Sequence, residues 1–205
     1  MNRWALLTID VQNDFSLPCS PHAIAGTDEL VPTMASVVAG FRAAGLPIVH
    51  VVRLYQADGS NAEACRRPLL RSGEPLVRPG TPGSQLRAEL HPRPPFTLDH
   101  AALLAGRFQP VGTSERVLYK PRWGAFFGTG LDAWLRARGV EAVAVVGANF
   151  PNCPRMTVYE ASERDFQPIV VADAISGIYP RGIEECAGIG ARALSAAELL
   201  ADLAR

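Results

Sequence analysis

Short unbroken apolar runs alternate along this chain with longer stretches of helical spacing. The runs lie at residues 4–11 (WALLTIDV, which Asp10 interrupts), 47–54, 116–120, 142–146, 167–174 and around 191–194. A run without polar alternation must meet apolar neighbours on both faces, which predicts strands buried in a parallel sheet. Between them, residues 28–44 repeat Leu30, Met34, Val37, Val38 and Phe41 on one face and stop at Gly45. Residues 131–138 stop at Gly139, with Thr129 and Asp132 as a capping pair, and residues 156–164 set Met156, Tyr159 and Ala161 against Glu160, Glu163 and Arg164. Ser195 followed by Glu198 is a capping box that opens a final helix. Strands alternating with helices predict an α/β fold: an open six-stranded parallel sheet with helices on both faces and right-handed crossovers. Residues 1–205 read as one domain. Only residues 55–115, which hold eight of the 17 prolines, break the pattern, and so long an irregular stretch predicts a lid or substrate-binding excursion.

In such a sheet, sites form beyond the carboxyl ends of the strands. Three chemically capable residues stand at such ends. Cys153 follows the run at 142–146, in a turn between Pro151 and Pro154 that leads into a helix. A helix N-terminus offers unpaired N–H groups and a partial positive charge, which favour a thiolate and can hold an oxyanion. Asp10 ends the first strand; Asp14 is its competitor, and one capping role cannot explain both. Lys120 ends the third strand and is the only lysine, every other basic residue being arginine. Lysine is a compact charge whose pKa responds to burial and neighbours, where arginine stays a protonated fork. Together the three predict a nucleophile (Cys153), a proton acceptor (Asp10) and an electrostatic partner to both (Lys120). On this reading Cys153 is accessible, has a low pKa and is alkylated well below pH 8. Trp123, Phe126 and Phe127 follow Lys120 and, with Phe15, are the candidate apolar lining of a substrate pocket. His50, alone inside an apolar run, reads as a satisfied core residue.

Composition narrows the function. The net charge is zero, which argues against nucleic acid or an anionic membrane surface as partner. No apolar stretch approaches a membrane span, and the opening residues run straight into a strand, so a soluble cytoplasmic protein is expected. Cys19, Cys65, Cys153 and Cys186 are dispersed, suggesting neither a zinc site nor a disulfide framework. Arg66, Arg67, Arg71, Arg78 and Arg87 fall in the irregular stretch, as anion ligands, partner contacts or a solvated face.

The motifs DVQNDF at 10–15, YKPRWGAFFGT at 119–129 and GANFPNCPRMTVYEASERDF at 147–166 resemble, in order and spacing, those of the isochorismatase-like cysteine hydrolases. The resemblance implies an Asp-Lys-Cys triad on Asp10, Lys120 and Cys153, a cis peptide at Ala148–Asn149, and an oxyanion hole made by the N–H groups of Asn149 and Cys153. A cis bond without proline costs about 3 kcal/mol, so it would mark strain kept for function. Nicotinamidases of the family carry an Asp/His metal cluster after the second strand, whereas HVVRLYQADGSNAE at 50–63 holds nothing like it. No metal and no cofactor are therefore expected, and nicotinamidase activity is disfavoured. Members with isochorismatase activity generally lack the cysteine.

The resemblance thus implies a cysteine amidohydrolase that cleaves a C–N bond of a small amide, carbamoyl or ureido compound and works as a homo-oligomer, a dimer or tetramer. The alternative is a catalytically silent relative that serves as a binding or oligomeric partner protein.

Overall fold

The computed structural model describes residues 3–204; Met1, Asn2 and Arg205, which the one-domain expectation also covers, lie outside the described residues. In chain order the elements are β1 (Trp4–Ile9), α1 (Asn13–Ser16), α2 (Val31–Ala43), β2 (Ile48–Val52), α3 (Arg67–Arg71), α4 (His100–Leu104), β3 (Gln109–Pro110) and β4 (Glu115–Tyr119). There follow α5 (Leu131–Arg136), β5 (Ala142–Gly147), α6 (Cys153–Ser162), β6 (Gln167–Ile175), α7 (Pro180–Gly188), β7 (Arg192–Leu194) and α8 (Ala196–Leu203).

The sheet order is β3-β4-β2-β1-β5-β6-β7, parallel throughout except for β3, which pairs antiparallel with β4. Among the described residues seven strands therefore stand where six were expected. The added one is two residues long, half of it proline, and carries no hydrophobic alternation by which a sequence could announce it. It forms because the edge of β4 offers unpaired groups, and proline is tolerated at an edge.

Both faces of the sheet are covered, as unbroken apolar strands require. Along β1, Ala5, Leu7 and Ile9 face a core shared with Leu135 on α5 and Val158 on α6, while Leu6 faces α2 and α8 through Met34, Phe41 and Leu199. Alternate residues of one strand thus meet opposite layers. The helix predicted at 28–44 begins as a 3-10 turn (Asp28–Leu30) and continues as α2, burying Met34, Val37, Val38 and Phe41 before Gly45 turns the chain at φ 66°. The expected cap of α5 is different: Thr129 receives the Leu131 N–H at 3.3 Å, but Asp132 turns away to pair with Arg136 one turn on. Ser195 and Glu198 do form a capping box on α8.

A buried polar network holds the opposite end of β2 and β4. His50 is fully buried, with Nδ1 2.8 Å from Thr8 Oγ1 and Nε2 2.6 Å from Glu115 Oε1, and Glu115 also accepts two hydrogen bonds from Arg42. His50 is thus the satisfied core histidine its setting predicts.

From β1 the chain winds outward through β2 to β4, then returns across the sheet to β5 and winds the other way. The strand order reverses between β1 and β5, and a crevice opens there at the carboxyl ends.

Candidate active site

Three strands deliver one residue each to that crevice. Asp10 follows β1 in a left-handed conformation, φ 55°, its N–H donating to Val51 O at 2.9 Å. Aspartate tolerates this conformation better than most side chains, and the turn aims the carboxylate across the strand ends. Lys120 follows β4 and is 1% exposed; Cys153 opens α6 and is 6% exposed. Lys120 Nζ lies 2.9 Å from Asp10 Oδ2, 3.3 Å from Cys153 Sγ and 3.2 Å from the carbonyl of Arg122. Its three donors meet three acceptors, which a planar guanidinium could not do in the same volume.

Gly147 is what allows this approach. At φ 126° it ends β5 against β1, and a Cβ there would lie 2.1 Å from the carbonyl oxygen of Ile9. Beyond it the Ala148 and Phe150 amides donate to Ile9 O and Ser176 O, whereas the Asn149 and Cys153 amides donate to no group of the described chain. The expectation of a cis Ala148–Asn149 bond is corrected: among the described residues only Arg93–Pro94 is cis. Gly147, φ 126°, and Asn152, φ −116° and ψ −104°, redirect the chain there.

The electrostatics also correct the expected reactive thiolate. Burial and the Asp10 carboxylate push the Cys153 thiol up to about 12, and Lys120 offsets only part of this. Burial alone would lower Lys120, but Asp10 and Cys153 outweigh it and its pKa is raised, so it stays protonated. The resting site is a neutral thiol beside an ion pair. Asp10 Oδ1 is buried with no hydrogen-bond partner among the described residues, an arrangement that waits for a donor. With iodoacetamide at pH 8, the exposed Cys19 and Cys65 will therefore react first and Cys153 at least about tenfold more slowly. Peptide mapping of a time course reads this, and fastest labelling at Cys153 would restore the resting thiolate.

The cleft over these groups is tight, with a cavity volume of about 30 Å³, room for little more than a water or two as it stands. Phe15 and Trp123 line it, as do Ile24, Tyr55 and Arg53. Phe126 and Phe127 do not. Phe126 stacks on Phe166 in the core at 5.7 Å, and Phe127 is 56% exposed at the surface, because the Gly128 turn at φ 62° and the bond from the Phe126 N–H to Glu160 orient this loop against α6 rather than over the cleft.

Asp14, the competitor to Asp10, accepts the Val77 N–H at 2.6 Å and ties down the irregular stretch. Gln12, fully buried, does the same by pairing with the backbone of Arg53 and Ser84. Arg53 was not among the sequence candidates, although it too stands just past the end of an apolar strand. Its guanidinium lies 3.2 Å from Glu63 and donates to Tyr119 and to the carbonyls of Asn61 and Lys120. Glu63 in turn accepts the Tyr55 hydroxyl at 2.8 Å. Of the excursion arginines, Arg66 lines the cleft, whereas Arg87 is buried elsewhere against Asp28 and Glu89. Among the described residues no three His, Cys, Asp or Glu side chains gather as a metal-binding group.

The isochorismatase domain model matches residues 4–198. The chain belongs to the isochorismatase family. An isochorismatase family protein of Desulfovibrio vulgaris subsp. vulgaris is similar over the full length of both chains, with 36% identity and a TM-score of 0.84. The N-carbamoylsarcosine amidase of Thermoplasma acidophilum matches with 26% identity and a TM-score of 0.72 over 96% of this chain and 97% of that one. A protein of Arabidopsis thaliana described as a probable inactive nicotinamidase is 30% identical over 87% of this chain and 84% of its own. The family thus includes enzymes that hydrolyse C–N bonds and a member described as inactive. Among the described residues no helix is long and apolar enough to cross a membrane.

Proposed function

We propose that this protein is a cysteine amidohydrolase that cleaves the C–N bond of a small amide, carbamoyl or ureido compound through a thioester. The observation that carries this reading is Lys120 Nζ bridging Asp10 at 2.9 Å and Cys153 at 3.3 Å in the lining of a small cleft. Cys153 Sγ attacks the carbonyl carbon as its proton passes to Asp10, so the thiolate exists only as the C–S bond forms. The free amides of Asn149 and Cys153 hold the oxyanion. Lys120 keeps its proton, fixes Asp10, and offsets the negative charge that develops on sulfur. Asp10 then protonates the leaving nitrogen, the C–N bond breaks and the amine or ammonia departs. A water that loses its proton to Asp10 attacks the thioester, releasing the acid and restoring the thiol. In this reading no step uses a metal. It also carries the cytoplasmic location and homo-oligomeric state expected from the sequence.

The test is ammonia release from a panel of small primary amides, carbamoyl amino acids and ureido acids, with intact-mass measurement of protein quenched in acid. The expected result is ammonia with at least one compound and an acyl mass increment mapping to Cys153. A second reading, a silent binding protein, is favoured by the similarity to a probable inactive relative; no ammonia and no adduct across the panel would establish it over the first.

A further inference from the structure

The charged groups of the cleft are matched except for one. Lys120 is paired with Asp10, and Arg53 with Glu63. The Arg53 fork is also filled by the carbonyls of Asn61 and Lys120 and by the Tyr119 hydroxyl, so it has nothing left for a ligand. Arg66 also lines the cleft. It is half-buried, its guanidinium carbon lies 5.8 Å from the centroid of the Trp123 ring, and among the described residues its side chain has no ion pair or hydrogen bond. A forked cation held over an aromatic wall, with its donors free, faces the same small space as the thiol.

We infer that Arg66 is the specificity-determining residue of this site and that it pairs with the carboxylate of the substrate, which is therefore the amide or ureido derivative of a short carboxylic acid. The inference rests on the amidohydrolase reading for its chemistry but not for its binding. A single unmatched cation suits a monoanionic carboxylate, which a guanidinium grips with two parallel bonds. A phosphate, near two negative charges, would leave one unmatched in a half-buried cleft. The tightness of the cleft, about 30 Å³, keeps the acid within a few bonds of the scissile carbonyl. Trp123 does double duty, as an apolar wall for the chain between the two groups and as a platform for the guanidinium.

The experiment compares matched pairs in which a methyl ketone replaces the carboxylate at nearly constant volume: succinamate against levulinamide, and N-carbamoylglycine against acetonylurea. The wild type is expected to prefer each acid by about 10- to 100-fold in kcat/KM. Arg66→Gln raises KM for each acid at least tenfold more than for its neutral twin, removing the preference, and Arg66→Lys restores part of it. A second arm needs no turnover. Calorimetry with Cys153→Ala measures succinamate binding, which weakens at least tenfold when Arg66→Gln is added. Equal losses on acid and neutral twins, no acid preference in the wild type, or no Arg66-dependent binding would overturn the assignment. Arg66-dependent binding with no hydrolysis of any compound would instead overturn the amidohydrolase reading and leave Arg66 as the anchor of a carboxylate-binding site.

Discussion

On the proposed mechanism Cys153→Ala is expected to lower ammonia release by at least about 10⁴-fold, and Asp10→Asn by about 10² to 10⁴-fold, the usual costs of removing a nucleophile and its proton acceptor. The two variants part company in stability. Alanine at 153 leaves the Asp10–Lys120 pair intact. Asparagine at 10 strands an ammonium that is 1% exposed, and breaking a buried pair from one side costs about 3–5 kcal/mol. In a chain of this size that is a fall in Tm of about 6–20 °C. Lys120→Met strands the carboxylate instead and is expected to cost a similar amount. The double variant Asp10→Asn/Lys120→Met regains most of the loss, because two neutral groups replace two charges, yet stays inactive. Thermal unfolding and ammonia release measured on all four proteins check this. An inactive double variant as unstable as the singles would mean that packing, not charge, holds this corner together. Retained activity in Asp10→Asn would remove aspartate from the proton path.

Glu115→Gln is expected to destabilise the protein by about 2–3 kcal/mol at pH 6 while leaving kcat unchanged, since this network lies at the far end of β2 and β4. Burial alone would raise the Glu115 carboxyl, but hydrogen bonds from Arg42 and His50 outweigh it and hold it down to about 2. The gap from its ordinary 4.5 corresponds to about 3 kcal/mol. The folded pKa is depressed, so this stability is fully present above about pH 4.5 and is lost as pH falls toward 2. Burial also lowers His50, which adds acid sensitivity of the same sign beginning nearer pH 6.5. Urea unfolding from pH 7 to pH 2 should show wild type and variant converging below pH 4.5 and meeting near pH 2. A constant difference across that range would show that lost packing, not the carboxylate charge, is responsible.

Several features of the site were legible along the chain because they depend on local pattern. The apolar runs located the core strands to within one or two residues, since a strand covered on both faces has no freedom to alternate. Their ends pointed to Asp10, Lys120 and Cys153, which the fold brings within hydrogen-bonding reach of one another. A solitary lysine in an arginine-rich chain was a further signal, and the geometry supplies its reason: three acceptors converge on one compact ammonium. By the same positional rule Arg53 could have been noticed, one residue past β2.

The tertiary structure decided what depends on distance and burial. The sign of the Cys153 shift is one such case: a helix N-terminus and a lysine both favour thiolate, but only the fold shows the thiol buried beside a carboxylate, and burial wins. The fates of Trp123 and Phe126 are another, because three residues of one turn separate a cleft wall from a core side chain and the choice rests on Glu160 across the fold. The edge strand β3 exists only through its pairing with β4. Arg66 and Arg87 look alike in sequence; one is neutralised by Asp28 and Glu89 and the other is left free in the cleft. Sequence determined the six parallel strands and the polar side chains at their ends, because these follow from nearest neighbours along the chain. Which charges remain unmatched is a sum over groups far apart in sequence, and only the folded chain performs it.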